Sequence, residues 1–349
     1  MLIDMSPKKL GFTFPAEWEK QNSIWLSWPH NRDTWPGKFQ PIPKKFTEIV
    51  SVITRYEHVN INYVNDEMKE EIIELLSDKR VSEISYTLHN IPTNDAWCRD
   101  HGPAFVINSE TKEKGIIDWG YNALGNKYPP FDLDNDVPTK TGNKLGLRIF
   151  HPGIIMEGGS IDVNGEGCLL TTKSCLLNNN RNPNLNQAEI ENYLKEFYGQ
   201  EKILWLEEGI VGDDTDGHID DIARFVNADT ILTVVEKKLE DENYQILQNN
   251  LTTLKQMTNN KGRRFNIIEL PMPDKLEYKG QRIPASYANF LILNNAVIVP
   301  TFKDKNDTLA IKIIQEQFPA RKVIGIDCVD LAWGLGTLHC ISQQEPAVS

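Results

Sequence analysis

Ile161-Asp162-Val163-Asn164-Gly165-Glu166-Gly167-Cys168-Leu169-Leu170-Thr171-Thr172 reads as two short β-rich runs, residues 161–164 and 168–172, across a Gly-Glu-Gly turn. Turn residues between such runs predict a hairpin. A helical pattern over 187–197 follows, and then a strand over 203–206. The same order recurs along the chain. A hairpin at 222–226 and 230–235 precedes a helix over 239–259 and a strand over 266–270. Another at 290–293 and 296–300 precedes a helix over 306–317 and a strand over 323–327. An earlier hairpin pairs 104–108 with 115–119. Starting from Ala104, Ile161, Ala223 and Phe290, the spacings are 57, 62 and 67 residues.

Units of about 60 residues, each mixing strand and helix, predict a cyclic α/β array. The opening of the chain is expected to supply a fifth unit. Residues 23–28 read as a strand, and 44–56 as a helix with Phe46, Ile49, Val50 and Ile53 on one face. A strand over 59–64, a helix over 67–76 capped by Asp66 and a strand over 84–88 follow. A strand-like run carrying Cys340 would close the circle. With no linker or low-complexity tract, residues 1–349 are read as one domain of five ββαβ-type units. Trp18, Trp25, Trp28 and Trp35 cluster near the start and are read as core and rim packing.

The net charge of −12 disfavours nucleic acid as partner and suits a cationic ligand. No apolar run approaches a membrane span, and Met1–Lys9 lacks the apolar centre of a secretory signal. Five cysteines, an odd number without a Cys-x-x-Cys pair, fit reduced thiols in a cytoplasm.

A polar cluster sits just before or at each hairpin. The five are Asn94–Pro103, Met156–Ser160, Asp213–Asp221, Ala285–Asn289 and Gly336–Cys340. Arranged about one axis, they would face one another, as a reacting centre requires. Cys340 has two readings, a buried strand cysteine and a nucleophile. For a general base, strand alternation turns His339 away from the thiol and puts His218 and Asp220 on one face, Asp221 on the other. Glu157 is placed to orient the imidazole. Asp100 and Asp220 then remain, and two carboxylates facing a thiol suit a planar guanidinium. A metal site from His101, Asp216 and His218 lacks any recognised ligand spacing. The Asp213–Gly217 loop does not fit an EF-hand. No phosphate loop is present, and Gly334–His339 misses the third glycine of a dinucleotide fingerprint.

Several stretches together resemble the family of agmatine deiminases and bacterial peptidylarginine deiminases. They are Trp25–Asn31, Thr34–Lys38, Asn94–Pro103, Glu157–Ser160, Gly217–Asp220, Ser286–Asn289 and Gly336–Gln344. The resemblance runs from residue 11 to residue 346. It implies the guanidine-modifying superfamily's fold, a five-bladed α/β propeller (pentein) with pseudo-fivefold symmetry. It implies Cys340 as nucleophile, His218 as acid/base, Asp100 and Asp220 as the guanidinium grip and Glu157 as the group orienting His218. Trp97 would wall the substrate channel, and Asn289 would support the centre. The implied reaction turns agmatine into N-carbamoylputrescine and ammonia through a covalent thiouronium, in polyamine biosynthesis, with no metal or organic cofactor. The alternative is deimination of arginine in peptides. Asp214 and Asp216 suit agmatine's distal ammonium, whereas residues 119–127 lack the arginines expected of the peptide-specific branch. Two departures stand out. Arg224 stands where some agmatine deiminases carry a small or uncharged residue, and Leu335 stands where the family more often shows a longer glycine run. Homodimer and homotetramer both stay open.

Overall fold

The hairpin read from residues 161–172 is present. In the computed structural model, which describes residues 5–348, Ile161–Val163 runs antiparallel to Cys168–Thr172, with Ile161 opposite Thr171. Residues 1–4, part of the Met1–Lys9 stretch, and residue 349 lie outside the described residues. Cys168–Thr172 then pairs in parallel with Lys202–Leu206. A parallel partner cannot be reached by a tight turn, so a crossover is needed. The helix Gln187–Tyr198 supplies it, opened by an Asn186/Glu189 capping box and closed by Gly199 at φ 72°.

Three further sheets repeat this antiparallel-then-parallel order. Ala104–Asn108, Glu113–Ile117 and Arg148–Phe150 form one. Ala223–Asn227, Thr230–Val235 and Asn266–Pro271 form the next. Leu291–Ile292, Ala296–Thr301 and Lys322–Asp327 form the third. The crossover helices of the last two are Asn243–Gln256 and Asp307–Gln317. In the first of these sheets the crossover contains Val137–Leu145, with proline in its first turn. No helix was read there, because Thr-Lys-Thr-Gly-Asn carries little apolar periodicity.

The fifth sheet is assembled from distant parts of the chain. Ser342–Pro346 pairs antiparallel with Gln21–Ser27, which pairs in parallel with His58–Tyr63, and that with Tyr86–Asn90. Several boundaries differ from expectation: the helix read over 44–56 spans Ile42–Ile53, and two others have a local cause. Asn65, not Asp66, caps the helix Asp66–Asp78, because its side chain accepts from Met68 N at 2.9 Å. Residues Glu83–Ser85 form a 3-10 turn, which moves the expected strand to Tyr86–Asn90. Trp25, Trp28 and Trp35 are fully buried. No helix of the described residues is long and apolar enough to cross a membrane.

Candidate active site

The polar clusters are turns and short helices, not strands, and this changes which side chains meet. Ile219–Asp221 is a 3-10 turn, and residues 338–341 form a turn that ends where Ser342–Pro346 begins. Strand alternation therefore does not apply at either place. Asp221, expected on the opposite face, joins Asp220 and Cys340, their ligand atoms lying within 4.8 Å of one another. His339 does turn away from the thiol, but into the polar interior. Its Nδ1 lies 2.7 Å from Asp220 Oδ2 and its Nε2 3.0 Å from Glu17 Oε2.

Residues from all five polar clusters reach the same centre. The short helix Cys98–His101 carries Asp100, whose Oδ1 accepts from Gly159 N at 3.0 Å. His218 Nδ1 lies 3.5 Å from that oxygen. A Cβ added at Gly159 would meet His218 Nδ1 at 2.6 Å, Asp100 Oδ1 at 2.8 Å and Asp220 Oδ2 at 3.1 Å. Glycine at 159 is what lets the three converge. Asn289 Nδ2 contacts Cys340 Sγ at 3.1 Å, while its Oδ1 accepts from Thr337 Oγ1 at 2.7 Å and His339 N at 3.0 Å. Arg99 fixes the same turn, donating from its backbone N to Cys340 O and from Nη1 to Gln344 Oε1.

Cys340 and Asp100 open onto a cleft of about 640 Å³, also lined by Trp97, Tyr128, Asp214 and Trp333. That volume suits a small ligand. Trp97 packs over Gly336, where a Cβ would meet the indole at 2.5 Å and Cys340 Cβ at 3.0 Å. It is backed by Trp35, with ring centroids 5.6 Å apart. Leu335, the departure from a glycine run, adopts φ 71°, a conformation that glycine takes without strain.

Glu157 and Asp216 differ from expectation. Glu157 makes no hydrogen bond to His218. Its Oε1 accepts from Arg181 Nε at 2.9 Å, and its Oε2 has no hydrogen-bond partner among the described residues. Asp216 does not line the cleft. Its carboxylate is taken by Arg181 Nη1, by Lys127 Nζ at 2.8 Å and by Asn180 Nδ2 at 2.9 Å. Asp214 does line it, with one oxygen bonded by the Tyr128 hydroxyl. Arg224 is wholly buried and serves the interior. It bonds Glu17, donates to the carbonyls of Ala288 and Phe290, and lies 3.5 Å from Asp162.

Burial, then the charges of Asp220, Asp221 and Asp100, push the Cys340 thiol well above its ordinary value. Burial also pushes the His218 imidazole down. Burial and the neighbouring charges of Asp220 and Glu157 raise Asp100 well above the usual carboxylate range. A cation placed among these acids relieves all of this repulsion at once.

Among the described residues, two sets of three donors converge closely enough for a metal ion: Glu157, Cys175 and His218, and Asp220, Asp221 and Cys340. His101 belongs to neither, because its Nε2 is bonded to Ser27 Oγ at 2.9 Å. Glu17, Arg99 and Arg181 were not singled out from the sequence, and Asp221 was read as facing away. Glu17, Arg99 and Asp221 sit inside stretches that were quoted or bordered. Arg181, in Asn-Asn-Asn-Arg-Asn-Pro, carries no motif signal.

The family model of the Porphyromonas-type peptidyl-arginine deiminases matches residues 13–346. A Legionella pneumophila (strain Paris) protein named "Putative agmatine deiminase" is 37% identical over 346 residues, covering 99% of this chain and 98% of that one. An Enterococcus faecalis agmatine deiminase structure superposes with a TM-score of 0.92 at 33% identity, covering 99% and 98% of the two chains. A C. jejuni agmatine deiminase carrying a cysteine-to-serine substitution, solved with substrate bound, gives 0.87 at 36% identity and covers 96% of each.

Proposed function

From the premise that the chain belongs to the Porphyromonas-type peptidyl-arginine deiminase family, we propose that it is an agmatine deiminase. It hydrolyses agmatine to N-carbamoylputrescine and ammonia. The observation that carries this reading is that Cys340 and Asp100 line the cleft, with the buried Asp220 behind them and close to both.

The guanidinium lies between Asp100 and Asp220, its central carbon toward Sγ. Its charge lowers the thiol's pKa, and His218 accepts the thiol proton. Sulfur then bonds to carbon, and the carbon–nitrogen bond breaks as His218 returns the proton to departing ammonia. A covalent thiouronium remains. Water, deprotonated by His218, adds to its carbon, the carbon–sulfur bond breaks, and the ureido product leaves. Glu157 acts on His218 through its charge, and Asn289 holds the thiol's turn. Trp97 flanks the alkyl chain, and Asp214 receives the distal ammonium.

Among the described residues the cleft lining contains no arginine, and Lys127 is committed to Asp214 O and Asp216. This supports an ammonium-bearing substrate over one with a carboxylate or peptide group, the peptidyl-arginine alternative. The reading includes one domain over residues 1–349, with the five sheets as blades of an α/β propeller. It also includes a cytoplasmic place in polyamine biosynthesis.

Ammonia release from agmatine, free arginine and a peptidyl-arginine by the purified protein tests this. Agmatine should be preferred, and Cys340→Ala should lose turnover by about 10⁴-fold or more. Full turnover in Cys340→Ala would end the covalent mechanism. No ammonia from any of the three guanidines would end the deiminase reading.

A further inference from the structure

Cys175 takes no part in the reaction, yet its sulfur lies beside the group that transfers protons. Glu157, Cys175 and His218 bring one ligand atom each within 4.8 Å of one another. Their side chains are 0%, 0% and 1% exposed. Among the described residues, both ring nitrogens of His218 and Oε2 of Glu157 have no hydrogen-bond partner. Unpartnered polar atoms in the interior are costly unless something fills the place. Neither Glu157 nor Cys175 lines the substrate cleft, so a substrate contact there does not account for the orphaned oxygen. Sulfur, imidazole nitrogen and carboxylate oxygen together are the donor types that Zn²⁺ takes, whereas Mg²⁺ and Ca²⁺ take oxygen.

We propose that Glu157, Cys175 and His218 form a binding site for Zn²⁺ whose occupation switches the enzyme off. The fold holds the three donors in place. Cys175 sits in the short helix Lys173–Leu176, where the Thr172 hydroxyl accepts from Cys175 N at 3.3 Å and donates to Gly217 O at 2.6 Å. One hydroxyl thus ties the turn bearing the thiol to the residue before His218. Gly217 permits the close approach, since a Cβ there would meet Ser174 Oγ at 2.5 Å. Arg181 Nε holds Glu157 by Oε1 at 2.9 Å. That leaves Oε2 to the metal and gives the ligating carboxylate the outer hydrogen bond such ligands require. Arg181 shares its charge between Glu157 and Asp216, so it opposes a bound cation less than a lone guanidinium would.

On binding, the Cys175 thiol gives its proton to water, and sulfur, imidazole nitrogen and carboxylate oxygen each donate an electron pair to the metal. Whichever nitrogen of His218 binds, a ring joined to a dication no longer takes up the thiol's or the water's proton. Both halves of the reaction stop. Asp100 lines the cleft, and its Oδ1 lies 3.5 Å from His218 Nδ1. The metal therefore enters past the seat of the guanidinium, and bound agmatine stands in its way. The inhibition rests on the deiminase reading, whereas the binding does not.

The test titrates metal-free, full-length protein with Zn²⁺ alone by calorimetry and with Co²⁺ by absorption, where a cobalt–thiolate bond gives a near-ultraviolet charge-transfer band. Wild type should bind one equivalent and show the band. Cys175→Ser should lose the band and weaken Zn²⁺ by at least about 10²-fold. Cys340→Ser should keep both, which separates this site from the set of Asp220, Asp221 and Cys340. Cys175→Ala, which puts no polar atom into the interior, repeats the measurement should the serine variant not fold. A wild type that binds no zinc would overturn the proposal. So would a band that vanishes in Cys340→Ser. With agmatine, Zn²⁺ should abolish ammonia release by wild type and EDTA should restore it. The Cys175 variants, each compared with its own metal-free rate, should need at least about 10²-fold more zinc for the same fractional loss. Zinc bound through Cys175 that leaves agmatine turnover untouched would overturn the inhibition. The titrations need no turnover, so a chain inactive on agmatine would end the deiminase reading and leave the binding result intact.

Discussion

Arg181 and Arg224 are both buried between two carboxylates, and each reaches the reacting cluster through one of them. Arg181 bonds Glu157, beside His218, and Asp216, which is partly exposed and also bound by Lys127. Arg224 bonds Glu17, which touches His339, and faces Asp162; all of these are buried. The chemical device is the same, but its surroundings are not. Around Arg181 a chain of charges runs from the imidazole to the cleft rim, where water screens it. Around Arg224 the charges close on themselves inside the protein. Charge near a proton-transferring group tunes its chemistry, whereas charge sealed in the interior must be balanced for the chain to fold.

The largest expected difference is in stability. Arg224→Met strands Glu17 and Asp162 without their cation and should cost about 3–5 kcal/mol in urea unfolding. An unchanged unfolding midpoint would remove the structural role given to Arg224. Arg181→Met should cost about 1–3 kcal/mol, because solvent reaches Asp216. Its main effect should fall on kcat, by about 10²-fold, through the altered field at His218. If the two variants lost stability and kcat in equal proportion, the contrast between the regions would collapse.

Acid separates the regions by a third route. Burial and neighbouring carboxylates raise Asp100, so it takes up its proton at a higher pH than an ordinary carboxyl, and guanidinium affinity falls with it. Glu17 has a folded-state value far below its ordinary 4.5, so its stabilising contribution is present above that value and is lost only as pH falls below it. On acidification KM for agmatine should therefore rise before the fold weakens. Parallel titrations of KM and of near-ultraviolet circular dichroism check this, and coincident midpoints would contradict it. The smallest effect belongs to the rim. Lys127→Ala should change stability by less than about 1 kcal/mol and KM by less than about threefold.

The ββαβ order was legible because hairpin turns and helical periodicity are local signals. The helix Val137–Leu145 escaped because its sequence is mostly polar. The meeting of the polar clusters was legible from their register. The orientation of individual side chains within them was not, since alternation was assumed where the chain makes turns. Asp221 was put on the wrong face for that reason, and His339 on the right face for the wrong one. Glu17 and Arg181 act through contacts with residues far away in sequence, which no local pattern encodes. Asp216 shows the same limit in reverse: an acidic side chain next to His218 looked free for ligand until its cation, Arg181, was located in space.

The antiparallel pairing of Ser342–Pro346 with Gln21–Ser27 has a kinetic side. Trp25 Nε1 donates to Glu345 Oε2 across 320 positions of chain, and contacts of such separation form late, after shorter loops have closed. Cys340 is placed by the turn that leads into that strand. A partly folded chain can thus hold the four three-stranded sheets and still keep its thiol apart from His218 and the acids. Chemistry switches on with the final long-range closure, so recovery of turnover on refolding should lag behind recovery of secondary structure.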